Sequence, residues 1–73
     1  MKLEMKPVNS TNIISVGYNA EERTLVVDFH NGKRYKYHPV TEQGHRELIN
    51  SDSIGKYFFK NIRGNKNITT TKM

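Results

Sequence analysis

Three histidines, a handful of serines and two sets of cations are the groups in this chain with chemistry to offer. His30, His38 and His45 fall on a turn tip, a strand end and a helix, and none stands at a metal-ligand spacing such as His-Glu-x-x-His. At about 3.4 Å per residue of strand, His30 and His38 lie roughly 20 Å apart at opposite ends of one hairpin, too far to share an ion. Ser10, Ser15, Ser51 and Ser53 have no histidine that the expected fold brings to them, and Gly55-Lys56 lacks the rest of a phosphate loop. With no cysteine in the sequence, thiolate nucleophiles, thiolate metal sites and disulfides are all excluded. The sequence therefore predicts a binding module, with no catalytic residue, metal or cofactor.

Two cationic groups suit the binding of a polyanion. Tyr35-Lys36-Tyr37 interleaves rings with a cation, the composition of a surface on which unpaired bases stack while lysine meets phosphate. Core packing is the competing reading for both rings, and it comes first if they face the helices. Lys56, Lys60 and Arg63 recur at i, i+4 and i+7 with no acid on their stripe. They suit a phosphate backbone, as they also suit the solvated face of any docked amphipathic helix. The charge is uneven: residues 1–32 hold three basic and four acidic groups, residues 33–73 nine basic and three acidic, within a net charge of +5. The second half is the electropositive one, as a nucleic-acid partner would require.

These groups are positioned by a hairpin, residues 24–38. Leu25, Val27 and Phe29 alternate with Val26, Asp28 and His30, and Tyr35 and Tyr37 with Arg34, Lys36 and His38. A two-residue Asn31-Gly32 turn would place Phe29 opposite Arg34 and leave the tyrosines on the face away from Leu25, Val27 and Phe29. A three-residue loop, His30-Asn31-Gly32, with Gly32 left-handed, pairs Val27 with Tyr35 and Leu25 with Tyr37, and gathers the large apolar groups on one face. Parity thus predicts the second register. The opposite face then carries Val26, Asp28, Arg34, Lys36 and His38, wet and basic, with Asp28 opposite Arg34 as an ion pair.

Upstream, Ile14, Val16 and Tyr18 alternate along residues 12–19, and a four-residue loop pairs them with Phe29, Val27 and Leu25. Residues 1–11 read as an extended lead-in anchored by Val8. After Pro39-Val40, Thr41 can cap a first helix running to about Ser51 with Leu48 and Ile49 as its main apolar groups. Gly44 weakens that helix by about 1 kcal/mol, and the position that would staple against Val40 is His45, so docking must hold it. A second helix is capped by Asp52-Ser53 and carries Ile54, Tyr57, Phe58 and Ile62 on one stripe. Gly64 ends it, and residues 65–73, with one isoleucine among polar groups, read as a disordered basic tail. The expected fold is α+β: a three-stranded antiparallel β-meander with two C-terminal helices packed on one face, a single domain over residues 12–64.

In this order and spacing the chain resembles the KTSC domain, which occurs at the C-terminus of some lysyl-tRNA synthetases and as a small stand-alone bacterial or phage protein. The resemblance rests on Ser10-Thr11-Asn12-Ile13, Gly17-Tyr18-Asn19, Thr24 to Phe29 followed by Asn31-Gly32, Tyr35-Lys36-Tyr37, Ser53-x-Gly55-Lys56-Tyr57-Phe58, and Ile62-Arg63-Gly64. Thr41, Gly44-His45, Ser51 and Lys66 depart from the family pattern, which weakens the first helix and loosens the C-terminus. The resemblance implies the fold and, through the synthetase context, an RNA partner such as tRNA; it implies no established activity.

The function expected from residues and resemblance together is RNA binding through Lys56, Lys60, Arg63, Arg34 and Lys36, with Tyr35 and Tyr37 available for base stacking. The alternative is a protein-interaction domain or a phage-encoded accessory protein, in keeping with an Asn-, Ile- and Lys-rich composition. No apolar run approaches the roughly 20 residues that span a bilayer, and the first residues lack the apolar core of a signal peptide, so a cytoplasmic protein is expected.

Overall fold

A computed structural model describes residues 4–73. Its centre is the hairpin of β3 (Thr24–Phe29) and β4 (Arg34–His38). Val27 pairs with Tyr35, Leu25 with Tyr37 and Asp28 with Arg34. The loop is the three-residue one: Phe29 N–H donates to the Lys33 carbonyl at 2.9 Å and Gly32 N–H to the Phe29 carbonyl at 3.0 Å. Gly32 has φ +83°, a conformation that a side chain would strain.

Among the described residues the sheet has five strands, not three, in the order β1-β2-β3-β4-β5, every neighbour antiparallel. The first addition is β1 (Met5–Pro7), formed by the lead-in along β2 (Ile13–Asn19). The second is β5 (Thr69–Lys72), where a disordered tail is expected. Asn65 to Asn67 make a turn in which Ile68 N–H donates to the Asn65 carbonyl at 3.1 Å, and Ile68 packs against the core. That anchor lays three threonines along β4, satisfying backbone groups that would otherwise be left at an open edge. Periodicity misses both strands because their short, exposed segments show no apolar alternation.

A β-bulge also corrects the face assigned to Ile14. Ile13 pairs with Phe29 and Ser15 with Asp28, so Ile14 is the extra, unpaired residue. The alternation slips by one: Ile13 is fully buried, whereas Ile14 is 43% exposed. On the open face Val26 is likewise buried, between Gly17 and Lys36 across the strands, so that face is not wet throughout.

The helices cover the other face. Thr41 caps α1 (Glu42–Ile49), its Oγ1 accepting from Gly44 N–H at 3.0 Å. Of the two main apolar groups of this helix, Leu48 is buried and Ile49 is 43% exposed. In place of the missing staple, His45 stacks on Tyr18 at 4.6 Å, nearly parallel, and the Tyr18 hydroxyl donates to the Val40 carbonyl. The second helix begins as α2 (Ile54–Tyr57), capped by the Ser53 hydroxyl, and widens into a π-helix (Phe58–Arg63). Gly64 closes it without a left-handed φ. A Cβ there would lie 3.0 Å from the Phe59 carbonyl oxygen and 3.2 Å from that of Lys60, a tight fit that favours glycine at this close backbone approach. Among the described residues no helix is long and apolar enough to cross a membrane.

Phe58 lies at the heart of the core with Leu25, Val27, Tyr37, Leu48 and Ile62. Phe58→Ala should cost about 3–5 kcal/mol and Leu25→Ala about 2–5 kcal/mol, much of the stability of so small a domain. Urea titration checks this: a loss under about 1 kcal/mol for either variant would show that its side chain does not fill the core.

Candidate functional site

The loop Ser10-Thr11-Asn12 is clamped where the hairpin tip meets the start of α2. Ser10 Oγ accepts from the backbone N–H groups of Asn12 and Ile13, each at 3.3 Å. His30 reaches over from the hairpin: its Nε2 lies 3.2 Å from the Ser10 carbonyl, and its backbone N–H donates to the Asn12 carbonyl at 3.1 Å. On the helical side Gly55 lies against the Ser10 hydroxyl and the Asn12 amide, where a Cβ would be in ordinary contact at 3.4 and 4.0 Å.

Two clefts open on either side of this loop. One, of about 610 Å³, lies between the hairpin and the π-helix, walled by Phe29, Tyr35, Tyr37 and Phe59 with Lys33 and Arg63. The other, of about 830 Å³, runs between the loop and α2, lined by Ser53, Gly55, Lys56 and Lys60, with Asp52 its one acid. Thr11, Asn12 and Phe59 line both, so the clefts adjoin at these residues as two arms of a groove with the loop between them.

Phe59 is the ring at the junction. It is 37% exposed, meets Phe58 edge-on at 5.3 Å and carries the Arg63 guanidinium over it, 5.4 Å from the ring centroid. Among the described residues the ion pairs are Arg34–Asp28 and Arg46–Glu42, so Lys33, Lys56, Lys60 and Arg63 present their charge to the groove without a carboxylate partner. Burial pushes the Tyr37 hydroxyl above its ordinary pKa, the charge of Arg63 acting in the opposite sense. The groove thus offers planar apolar surface and unneutralised donors side by side, which suits a ligand combining flat rings with negative charge.

The residues picked out from sequence separate into two sets. Lys56, Lys60 and Arg63 come together along the groove, with Tyr35 as half-buried wall and Tyr37 buried at its floor. Tyr37 is a core residue, and only Tyr35 retains access to a ligand. Arg34 and Lys36 lie on the opposite side of the sheet, paired across the strands with Asp28 and Val26. Arg34 is further occupied by a two-point bond, Nε to Oδ1 and Nη2 to Oδ2 of Asp28, so the structure does not join these two cations to the helix set. Sequence reasoning passed over Phe59 and Lys33, and gave His30 and the Thr11-Asn12 pair no place in the site. A signal for Phe59 is present: it stands one residue off the apolar stripe, four before Arg63.

The segments that meet here are those of a known family. The KTSC domain matches residues 9–65, from the clamped loop to the end of the π-helix. This chain belongs to the KTSC domain family. A crystal structure of a KTSC domain protein from Yersinia pestis superposes with a TM-score of 0.92 at 29% identity, covering 99% of both chains. An uncharacterised protein of Stutzerimonas stutzeri is 33% identical over 51 residues, 70% of this chain and 72% of its own. A protein of Tsukamurella paurometabola is 32% identical over 53 residues, 73% of this chain and 79% of its own. In this KTSC domain, Ser10-Thr11-Asn12 and Ser53 to Lys56, far apart in sequence, form facing sides of one cleft.

The ion pair on the far face has a pH signature. Hydrogen bonding from Arg34 holds the Asp28 carboxyl below its ordinary value, against an opposing effect of burial. A depressed carboxyl contributes stability above its unfolded-state pKa, near 4, and loses it as the pH falls through the lower folded-state value. Arg34→Ala should therefore melt below the parent at pH 6 and converge with it near pH 2. A melting difference that stays constant across that range would show that Arg34 acts by packing rather than by charge.

Proposed function

We propose that this KTSC domain binds single-stranded RNA along the groove between the Ser10-Thr11-Asn12 loop and the second helix. The observation that carries the reading is Phe59, an exposed ring at the centre of the groove with unpaired cations along it: Arg63 and Lys33 toward the hairpin, Lys56 and Lys60 toward the start of α2. Stacking on an exposed aromatic ring is available to every unpaired base, and cations a few residues apart track the phosphates between bases. A double helix offers no free base face to such a ring, so loops and single-stranded stretches, including those of tRNA, are the ligands that fit. Arg34 is neutralised by Asp28 and lies on the far face, so the groove and not the open sheet is the assigned side.

The salt dependence of binding tests this reading. Each phosphate neutralised releases counterions, so affinity for a short single-stranded RNA should fall steeply between 50 and 200 mM salt. Lys56→Ala combined with Lys60→Ala should weaken binding at every sequence and reduce the log–log slope by about 1.4, at about 0.7 per phosphate contact on a single strand. Phe59→Ala should weaken it by about 1–3 kcal/mol with little change of slope, because the ring carries no charge. Arg34→Ala with Lys36→Ala should bind as the parent does. Absence of binding by the parent even near 50 mM salt would exclude an RNA role and leave protein interaction as the function of the groove.

A further inference from the structure

We infer that the cleft between the hairpin and the π-helix reads guanine: Arg63 donates to O6 and N7 of one unpaired base lodged among the cleft's rings. The inference rests on the RNA reading above and adds a base preference to it. Arg63 carries five N–H donors in a planar fork and no acceptor, and among the described residues no carboxylate occupies it. Its guanidinium lies over the Phe59 ring, 5.4 Å from the centroid, which places the fork at the mouth of the cleft beside the rings. A fork of parallel donors is matched by two neighbouring acceptors, and the O6/N7 edge of guanine is the base edge that provides them. Adenine sets its N6 donor at the same place, against Arg63. No carboxylate lines this cleft to receive the N6 amino group of adenine, the amide oxygens of Asn12 and Asn31 being its side-chain carbonyl acceptors, and Lys33 adds a further donor beside Arg63.

A phosphate would also satisfy the fork, but it would make no use of the planar apolar surface that Phe29, Tyr35 and Phe59 give the cleft. Those rings and a volume of about 610 Å³ suit a flat heterocycle with its ribose, not an inorganic anion. Phe29 and Tyr35 meet edge-on at 5.8 Å, forming a fixed corner of the cleft opposite the helix.

The experiment is anisotropy titration of labelled single-stranded hexauridylates in which one central position is guanine, inosine, 7-deazaguanine or adenine. Guanine and inosine, which share O6 and N7, should bind about tenfold tighter than adenine, and 7-deazaguanine should lose most of that advantage. Arg63→Lys keeps the charge and loses the fork, so it should abolish the preference while leaving the salt slope unchanged. Equal binding of guanine and adenine by the parent, with the steep salt dependence intact, would overturn the guanine pocket and leave the RNA groove standing. Uniform weakening of all four ligands by Arg63→Lys would assign Arg63 to a phosphate and overturn it equally. No binding of any ligand by the parent would overturn both readings.

Discussion

Phe58 packs edge-on against Tyr37 of β4 at 5.0 Å and Phe29 of β3 at 5.6 Å, while its neighbour Phe59 meets it from the groove side at 5.3 Å. Through this fully buried ring the second helix is seated on the sheet, and a thin sheet with one covered face depends on that seating. Edge-to-face contacts have a preferred geometry as well as an area, so they fix the rotation of the helix about its own axis and not merely its proximity. The rotation decides what the next residues do. With Phe58 and Ile62 turned inward, Phe59 comes to the rim and Arg63 lies over it.

The π-helical stretch belongs to the same constraint. Wide turns of this kind are rare and concentrate at functional sites. Here the turn occupies Phe58–Arg63, the segment that supplies both the core ring and the groove's aromatic and cationic groups. Because the stretch is continuous with a short, capped α-helical turn, the groove is lined on one side by a single rigid segment. Its other side is the Ser10-Thr11-Asn12 loop, held by Ser10 and His30. The histidine placed at a turn tip thus has a positioning task that requires no metal. A groove with both walls tied to the sheet would lose little conformational freedom if the proposed ligand entered, which would favour affinity.

Charge placement follows from the same two-sided design. Asp28 on the open face, itself accepting from the Ser15 hydroxyl, engages Arg34, so the charge of that arginine is met by an internal partner. No acid of the described residues performs that service for Lys33, Lys56, Lys60 or Arg63. Of the second half's cations, Lys33, Lys56, Lys60 and Arg63 thus lie on the helical side, while Arg34 and Lys36 lie on the open face.

How much of this was legible beforehand differs from element to element. The hairpin register, its three-residue loop with a left-handed Gly32, both helix caps and the inward stripe of the second helix were determined by the sequence alone, because each follows from parity, periodicity or a capping hydroxyl acting within a few residues. The Asp28–Arg34 pair followed from that register. Only the tertiary structure decided the rest. β1 and β5 exist because β2 and β4 leave backbone groups to be satisfied, and nothing in Met5–Pro7 or Thr69–Lys72 announces a partner elsewhere in the chain. The bulge that exchanges Ile13 for Ile14 is invisible to alternation, since either residue satisfies the pattern. The groove itself joins residues 10–12, 30–35 and 53–63, whose proximity depends on closing long loops around a common core. Local patterns name the residues that a segment turns inward; which distant segment they meet is set by packing that no single stretch contains.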